Sequence, residues 1–375
     1  MDATEAKVQV ENRLQRTVDE TPAFDNAMFL VHSGSRDIHW NLAAGQVGDA
    51  PAEPNQPYHA MSVGKTFTST LIAMLVEEGN LQFGDPIAPY LSDEVLDGLH
   101  VYRGTDYTGD IRIHHLLSHT SGLPHLLSDG FGLFTRRKEE SPEGKTFFDV
   151  MVDEPGRFWE PEETIEWATE NLHPHFPPGD GIFYSEVGYN LLGLIIEAVT
   201  ATSYHEALHE YLFEPLSMDH SYLAQFSQPA VQAAHPVAPV QFEDERFDVE
   251  VYRSFSGGYA GGQTVNTTED IFSFHRALVE GNLVSEETLE KMTQWRRLSW
   301  MGLDYGYGVV RFRPVPLRSK YRMWGGIGVT NSVMFYNPAF DVYLVGTFNQ
   351  TTPKTKGYKF AFNTLRTVSK VDPSE

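Results

Sequence analysis

Hydrophobic and polar positions divide this chain into three textures. Residues 3–19 read as a polar amphipathic helix, and residues 28–33 (MFLVHS) and 38–45 (IHWNLAAG) as two strands joined by the turn Gly34-Ser35-Arg36-Asp37. After Lys65, the run TFTSTLIAMLVEEG carries Phe67, Leu71, Met74 and Leu75 at helical spacing, with Ile72 and Val76 beside them. This predicts a largely buried helix, stopped by Gly79 just past its end. From about 80 to 250, helical patterns at 111–118, 162–171, 186–200 and 203–213 alternate with long Pro/Gly-rich connections. Beyond that, helices at 267–280 and 285–295 lead into strands near 305–313, 320–324, 329–336 and 341–348. A last helix covers about 356–370. Strands, then helices, then strands imply an α/β (α+β) layer built from both chain ends, with a helical insertion between them. The expected division is 1–79 with 255–375 for the sheet domain, and 80–254 for the insertion.

Composition narrows the partners more than the fold. The chain has 375 residues, room for about two or three domains. Its formal net charge is −23, spread without long like-charge runs, which disfavours nucleic acid as a partner. Cysteine is absent, which removes disulfides, thiolate nucleophiles and Cys-type metal sites together. The longest apolar run, from Leu191 to Ile196, is too short to span a bilayer. The charged start, MDATEAKVQVENRLQRTVDE, has no apolar signal region, so a cytoplasmic location is expected unless a leader has been removed.

Several motifs could carry chemistry. Ser62-Val-Gly-Lys65 occurs once, at the start of the buried helix. Residues i and i+3 share a helix face, so Oγ and Nζ can meet, and a desolvated lysine can activate a serine. The same spacing also fits an N-cap serine with a snorkelling lysine. Gly64-Lys65-Thr66 mimics a phosphate loop, but His59 stands where that loop needs a glycine. Tyr184-Ser-Glu186 precedes the helix VGYNLLGLIIEAV and offers a candidate acid or base. Trp324-Gly-Gly326-Ile-Gly328 opens a strand, and its glycines suggest close approach by a ligand or another segment. A rival is His205-Glu-Ala-Leu-His209, the spacing of a helical zinc site. Yet Tyr204, Leu208, Tyr211 and Leu212 form that helix's apolar stripe, and both histidines lie largely off it. A third ligand would have to come from Glu214, Asp219 or His220, at no recognised spacing. His114, His115 and His119 read as a helix end, not a metal site.

Together these residues resemble the serine β-lactamase/penicillin-binding-protein superfamily. The similarity is greatest to its tyrosine branch of class C β-lactamases, D-stereospecific peptidases and family VIII carboxylesterases. The likeness extends through LLSHTSGLP (116–124), PPGDGIFYSEVGYNLLGLIIEAV (177–199), EYLFEPLSMDHS (210–221), GGYAGGQTVNTTEDIFSFHRAL (257–278) and WGGIGVTNS (324–332). It implies an antiparallel sheet flanked by helices, with an all-helical inserted domain. It implies an acyl-enzyme on Ser62, proton transfer by Lys65 and Tyr184, and an oxyanion hole from the N–H groups of Ser62 and Ile327. No cofactor or metal is implied, and the partner is a small ester or amide; the oligomeric state is not implied either way. Two departures stand out. Glu186 replaces the family's asparagine, and Trp324 replaces the cation that holds a substrate carboxylate. With Gly325 and Gly326 they form the expected substrate contacts. The expectation is thus an esterase or amidase of uncharged or cationic substrates, not an efficient β-lactamase. A D-stereospecific aminopeptidase, the zinc peptidase and a non-catalytic relative are the alternatives. Lys65 is expected to depress the Tyr184 pKa. Glu186 is expected either at the cleft rim, facing substrate, or as a cap on the helix that starts there.

Overall fold

Alternation along the strand Asn26–Ser33 sets the layers. Met28 and Leu30 point into one core, while Ala27, Phe29 and Val31 point into another. The same split runs through the neighbouring strand Val342–Thr347, where Val345 lies opposite Leu30 and Leu344 opposite Val31. Helix Ala3–Asp19 buries Ala6, Val10, Leu14 and Val18, one residue per turn, on the Phe29 side. Helix Lys356–Val368 packs on that side too, whereas helix Thr268–Val279 contributes Ile271, Phe272, Phe274 and Leu278 to the Met28 side. The chain's two ends therefore build one layered unit.

In this computed structural model the described residues are 1–126, 144–242, 245–249, 251–299, 302–315, 318–353 and 355–373. Nine strands form one antiparallel sheet. Its order is Arg296–Ser299, Leu303–Tyr305, Val310–Phe312, Met323–Ile327, Val333–Asn337, Val342–Thr347, Asn26–Ser33, Ile38–Val47 and Ala50–Pro51. The strand expected at 305–313 is two strands, because Gly306 and Gly308 turn the chain between them. Arg296–Ser299 follows a helix that ends at Met292, not 295. The WGGI run does not open its strand; it is the strand, paired with Val333–Tyr336.

Among its described residues, the segment 80–254 carries helices joined by long connections, with a few short strands. Its main helices are Pro161–Asn171 and Glu186–Thr200, with shorter ones at Ile113–Leu117, Phe147–Asp153 and Tyr204–Leu208. The expectation of an all-helical insertion is corrected to this extent: Val101–Tyr102 pairs with Thr105–Asp106, Val240–Phe242 pairs with Glu245–Phe247, and Tyr222–Leu223 joins a three-stranded sheet with Thr264–Asn266 and Tyr58–His59. Helix Gly64–Glu77 lies centrally. All of its residues from Gly64 to Ala73 are buried, and Leu71 and Leu75 share a core with Leu192, Ile195 and Ile196. Its buried hydroxyls are satisfied: Thr66 donates to the Gly308 carbonyl at 2.8 Å and Thr68 to that of Ala260 at 2.9 Å. Gly79, at φ +77°, ends the helix as expected. Among the described residues, no helix is long and apolar enough to cross a membrane.

Candidate active site

Ser62 sits on a tight turn between the strand Tyr58–His59 and the helix Gly64–Glu77. The preceding residue, Met61, has φ 54°, a left-handed conformation that costs energy for a residue with a Cβ. Glycines let other segments close around the turn. A Cβ on Gly262 would lie 2.4 Å from the Met61 carbonyl oxygen and 2.9 Å from Ser62 Cα. A Cβ on Gly328 would lie 2.6 Å from the Ala60 oxygen, and one on Gly326 would crowd Thr66 Oγ1 at 3.1 Å. The glycines of the WGGIG run thus serve the approach of a protein segment, the Ser62 turn itself. Gly325 admits the His275 ring and the Met334 carbonyl in the same way.

Lys65 is 1% exposed, so it does not snorkel, and Ser62 does not cap the helix. Nζ lies 3.2 Å from Ser62 Oγ and 3.3 Å from Glu186 Oε1, and it also donates to the Gly261 carbonyl. Burial pushes the Lys65 pKa down, against the pull of Glu186. Glu186 is buried as the first residue of the helix Glu186–Thr200. The cap of that helix is Ser185, whose Oγ accepts from the Gly188 N–H at 3.2 Å and donates to the Pro124 carbonyl at 2.6 Å. The second carboxylate oxygen of Glu186 makes an ion-pair contact with His125 Nδ1. Burial alone would raise the Glu186 pKa, but His125 and Lys65 together hold it well below the usual carboxylate range. Glu186 is therefore neither a rim anion nor the capping residue.

Tyr184 is buried against His119, ring centroids 4.2 Å apart, with Lys65 Nζ 4.9 Å from its own ring centre. The Ser185 N–H donates to His119 Nδ1 at 3.2 Å, which ties the 119–125 loop to the tyrosine. The expected depression of the Tyr184 pKa is reversed. Burial and the Glu186 charge push it well above the usual phenol value, and a hydrogen bond with Ser62 offsets this only in part. Tyr184 rests as a neutral phenol.

A cavity opens on Ser62, Tyr184, His125 and Glu186, and its walls are mainly apolar: Phe147, Phe148, Met151, Phe242, Phe255 and Val329. Trp324 is not part of that wall. Its indole packs on the helix-facing side of the sheet against His275 and Tyr336, with ring centroids 5.5 and 6.5 Å away. Ile327 ends its strand opposite Val333, one residue before the glycine that touches the Ser62 turn. His205 and His209 are half-buried, their rings near Ser203 and Ser227 hydroxyls at 3.3 and 3.5 Å. Among the described residues, no group of three His, Asp or Glu side chains gathers as a metal would require.

The description of one protein family, Beta-lactamase, matches residues 16–365. The chain belongs to that family. Penicillin-binding protein 4* of Bacillus subtilis (strain 168) is 26% identical over 313 residues, which cover 79% of this chain and 62% of that protein. The chain thus spans less than two thirds of that relative's length. The D-amino acid amidase of Ochrobactrum anthropi SV3, in complex with D-phenylalanine, superposes with a TM-score of 0.76 at 18% identity, covering 98% of this chain and 99% of the other. EstCE1, described as a hydrolase with promiscuous acyltransferase activity, gives 0.74 at 16% identity over 98% and 99%. These structures share the antiparallel sheet flanked by helices.

Three participants escaped the sequence reading of this beta-lactamase-family site. His119 and His125 both stand in SHTSGLPH, where histidines near a helix end look incidental. The Gly261 carbonyl, which binds Lys65, carries no side-chain signal at all. A Gly-Gly pair at 261–262, in a segment long enough to reach back to the Ser62 turn, was the available clue.

Proposed function

We propose that this chain is a serine hydrolase acting on small, uncharged, apolar esters or amides through an acyl-enzyme on Ser62. The observation that carries the reading is Lys65 Nζ at 3.2 Å from Ser62 Oγ, with the lysine buried and its pKa pushed down. A free Lys65 amine takes the Ser62 proton as Oγ bonds to the acyl carbon. The N–H groups of Ser62 and Ile327 receive the oxyanion. As the bond to the leaving group breaks, Tyr184 gives that group its proton and is reprotonated by the Lys65 ammonium. Water then attacks the acyl carbon, Lys65 accepts its proton, and Ser62 Oγ departs and recovers one. Gly325 and Gly326 shape the strand beside the turn, and the substrate's apolar part meets Phe147, Phe148, Phe242 and Phe255. In this reading the cleft lies between the sheet unit, 1–79 with 255–375, and the insertion 80–254.

The apolar wall and the compensated Glu186 revise the expected preference for cationic substrates. A carboxylate shared between Lys65 and His125 has little charge left to offer an amine. Matched esters bearing an amine, no charge or a carboxylate should rank with the neutral one first in kcat/KM. A clear advantage for the amine would place Glu186 back in substrate recognition. The nucleophile is tested by a serine-directed organophosphonate, digestion and mass spectrometry. The adduct should lie on Ser62, and Ser62→Ala should abolish ester turnover. Labelling elsewhere, or activity that chelators remove and zinc restores, would overturn the reading.

A further inference from the structure

An anion beside the base works against catalysis. A carboxylate 3.3 Å from Nζ favours the ammonium form of Lys65, which cannot accept a proton from Ser62. The surroundings of Nζ show how the amine can still serve. Its three polar neighbours are Ser62 Oγ, Glu186 Oε1 and the Gly261 carbonyl oxygen. A carbonyl and an ionised carboxylate only accept; the hydroxyl can also donate. A free amine has two hydrogens and one lone pair. With the hydrogens on Glu186 and Gly261, the lone pair faces the one neighbour that can give it a proton, Ser62.

There remains the charge on Glu186, which needs a cation whenever Lys65 is neutral. Among the described residues, the titratable groups that face this carboxylate are Lys65, His125, His119, Tyr184 and Tyr305. The two phenols carry no positive charge. His119 accepts the Ser185 N–H at Nδ1, and burial and Lys65 hold that ring neutral. His125 remains, with Nδ1 in ion-pair contact with Glu186 Oε2.

Building on the Lys65-base reading above, we propose that His125 and Glu186 are a positioning pair for the catalytic lysine. His125 holds the counter-charge of Glu186 while Lys65 is a free amine, and Glu186 aims the lone pair of that amine at Ser62. One proton is then shared between His125 and Lys65 across a single buried carboxylate. Sequence position gives this role no marker, because His125 and Glu186 are 61 residues apart and are brought together by fold contacts such as Ser185–Pro124 and Ser185–His119.

The experiment measures kcat/KM against pH for a neutral ester with the wild type, His125→Leu, His125→Asn, Glu186→Gln and the double variant His125→Leu/Glu186→Gln. Activity of the wild type should rise on an acid limb as Lys65 loses its proton. Without His125, Lys65 is the remaining counter-charge for Glu186, so the limb should move to higher pH by about one unit or more. His125→Asn should do the same, since it keeps a donor but loses the charge. Glu186→Gln keeps an acceptor for Nζ and removes the anion, so its limb should move to lower pH. The double variant should follow Glu186→Gln, because His125 has nothing left to compensate. A merely structural role would lower activity without moving the limb in opposite directions. A limb unmoved, or moved down, in both His125 variants overturns the proposal. Phosphonate labelling of the wild type separates the two levels. A labelled Ser62 with unmoved limbs removes only the pairing, whereas no label on Ser62 removes the nucleophile reading itself.

Discussion

At the scale of single residues, the proposed reaction assigns opposite tasks to two groups that the sequence alone leaves alike. Burial drives a lysine toward its neutral form and a tyrosine toward its neutral form, because in each case the charged form is what desolvation penalises. In the proposed reaction that suits Lys65 to the part of base and Tyr184 to that of acid. The sign for activity follows from that proposal. The competent lysine would be unprotonated, its pKa is lowered, and turnover should therefore rise with pH through that lowered value. Tyr184→Phe should keep the position of this acid limb and lower kcat by about a hundredfold or more, the usual share of a positioned proton donor. A limb that disappears with the phenol would make Tyr184 the base. Ser62, Lys65 and Tyr184 were legible in the sequence because their spacing and setting are local. The state of Tyr184 was not, because Glu186 and Tyr305 act on it through a folded neighbourhood that no spacing encodes.

At the scale of elements, the Ser62 turn is held by glycine contacts from two distant segments. Gly262 carries φ +130° and leaves no room for a Cβ against Met61 and Ser62. The obstacle is backbone, which cannot swing aside as a flexible side chain would. Gly262→Ala should therefore cost about 1–3 kcal/mol of stability, in the range of strain at a special backbone position, and should lower kcat as well by displacing Ser62. Gly79→Ala, at a positive φ with nothing within 4 Å, serves as the comparison. It should cost about 1 kcal/mol with kcat unchanged. Equal loss of kcat in both variants would mean that Gly262 acts through global stability alone. The long elements are readable because their apolar stripes are continuous: the expected spans 3–19 and 186–200 are those of helices Ala3–Asp19 and Glu186–Thr200. Arg296–Ser299 was not readable. It is an edge strand with exposed arginines and a register shift, so little alternation marks it. The WGGI strand was obscured for the converse reason. Glycines that signal a loop by composition are there because His275, Val63, Thr66 and the paired strand at Met334 crowd the space a Cβ would take.

At the scale of the whole molecule, charge is the dominant surface property. A formal net charge of −23 spread over the chain makes the folded state repel itself. Exposed ion pairs such as Lys7–Glu11, Arg276–Glu280 and Lys145–Asp153 offset little of this, because each contributes about 0–1 kcal/mol at best. Cations are unevenly placed. Residues 296–322 hold seven Lys and Arg against the single acid Asp304, which pairs with Arg311 and Arg313 at 2.7 and 2.8 Å. Exposed Arg296 and Arg297 on the outermost strand discourage pairing with another sheet edge. Salt acts on these two sets differently. Raising ionic strength from about 0.05 M to about 1 M shortens the screening length to about 3 Å, which removes long-range repulsion together with the weak surface pairs. Because the repulsion is the larger of the two, the melting temperature should rise with sodium chloride. The Lys65–Glu186–His125 group lies inside the protein, beyond the reach of that screening. At a temperature well below melting, kcat/KM for a neutral ester should therefore stay within about twofold over the same range. A melting temperature that falls with salt would mean that surface pairs outweigh the net repulsion. Activity that tracks salt while the fold stays intact would mean that the catalytic charges face solvent after all.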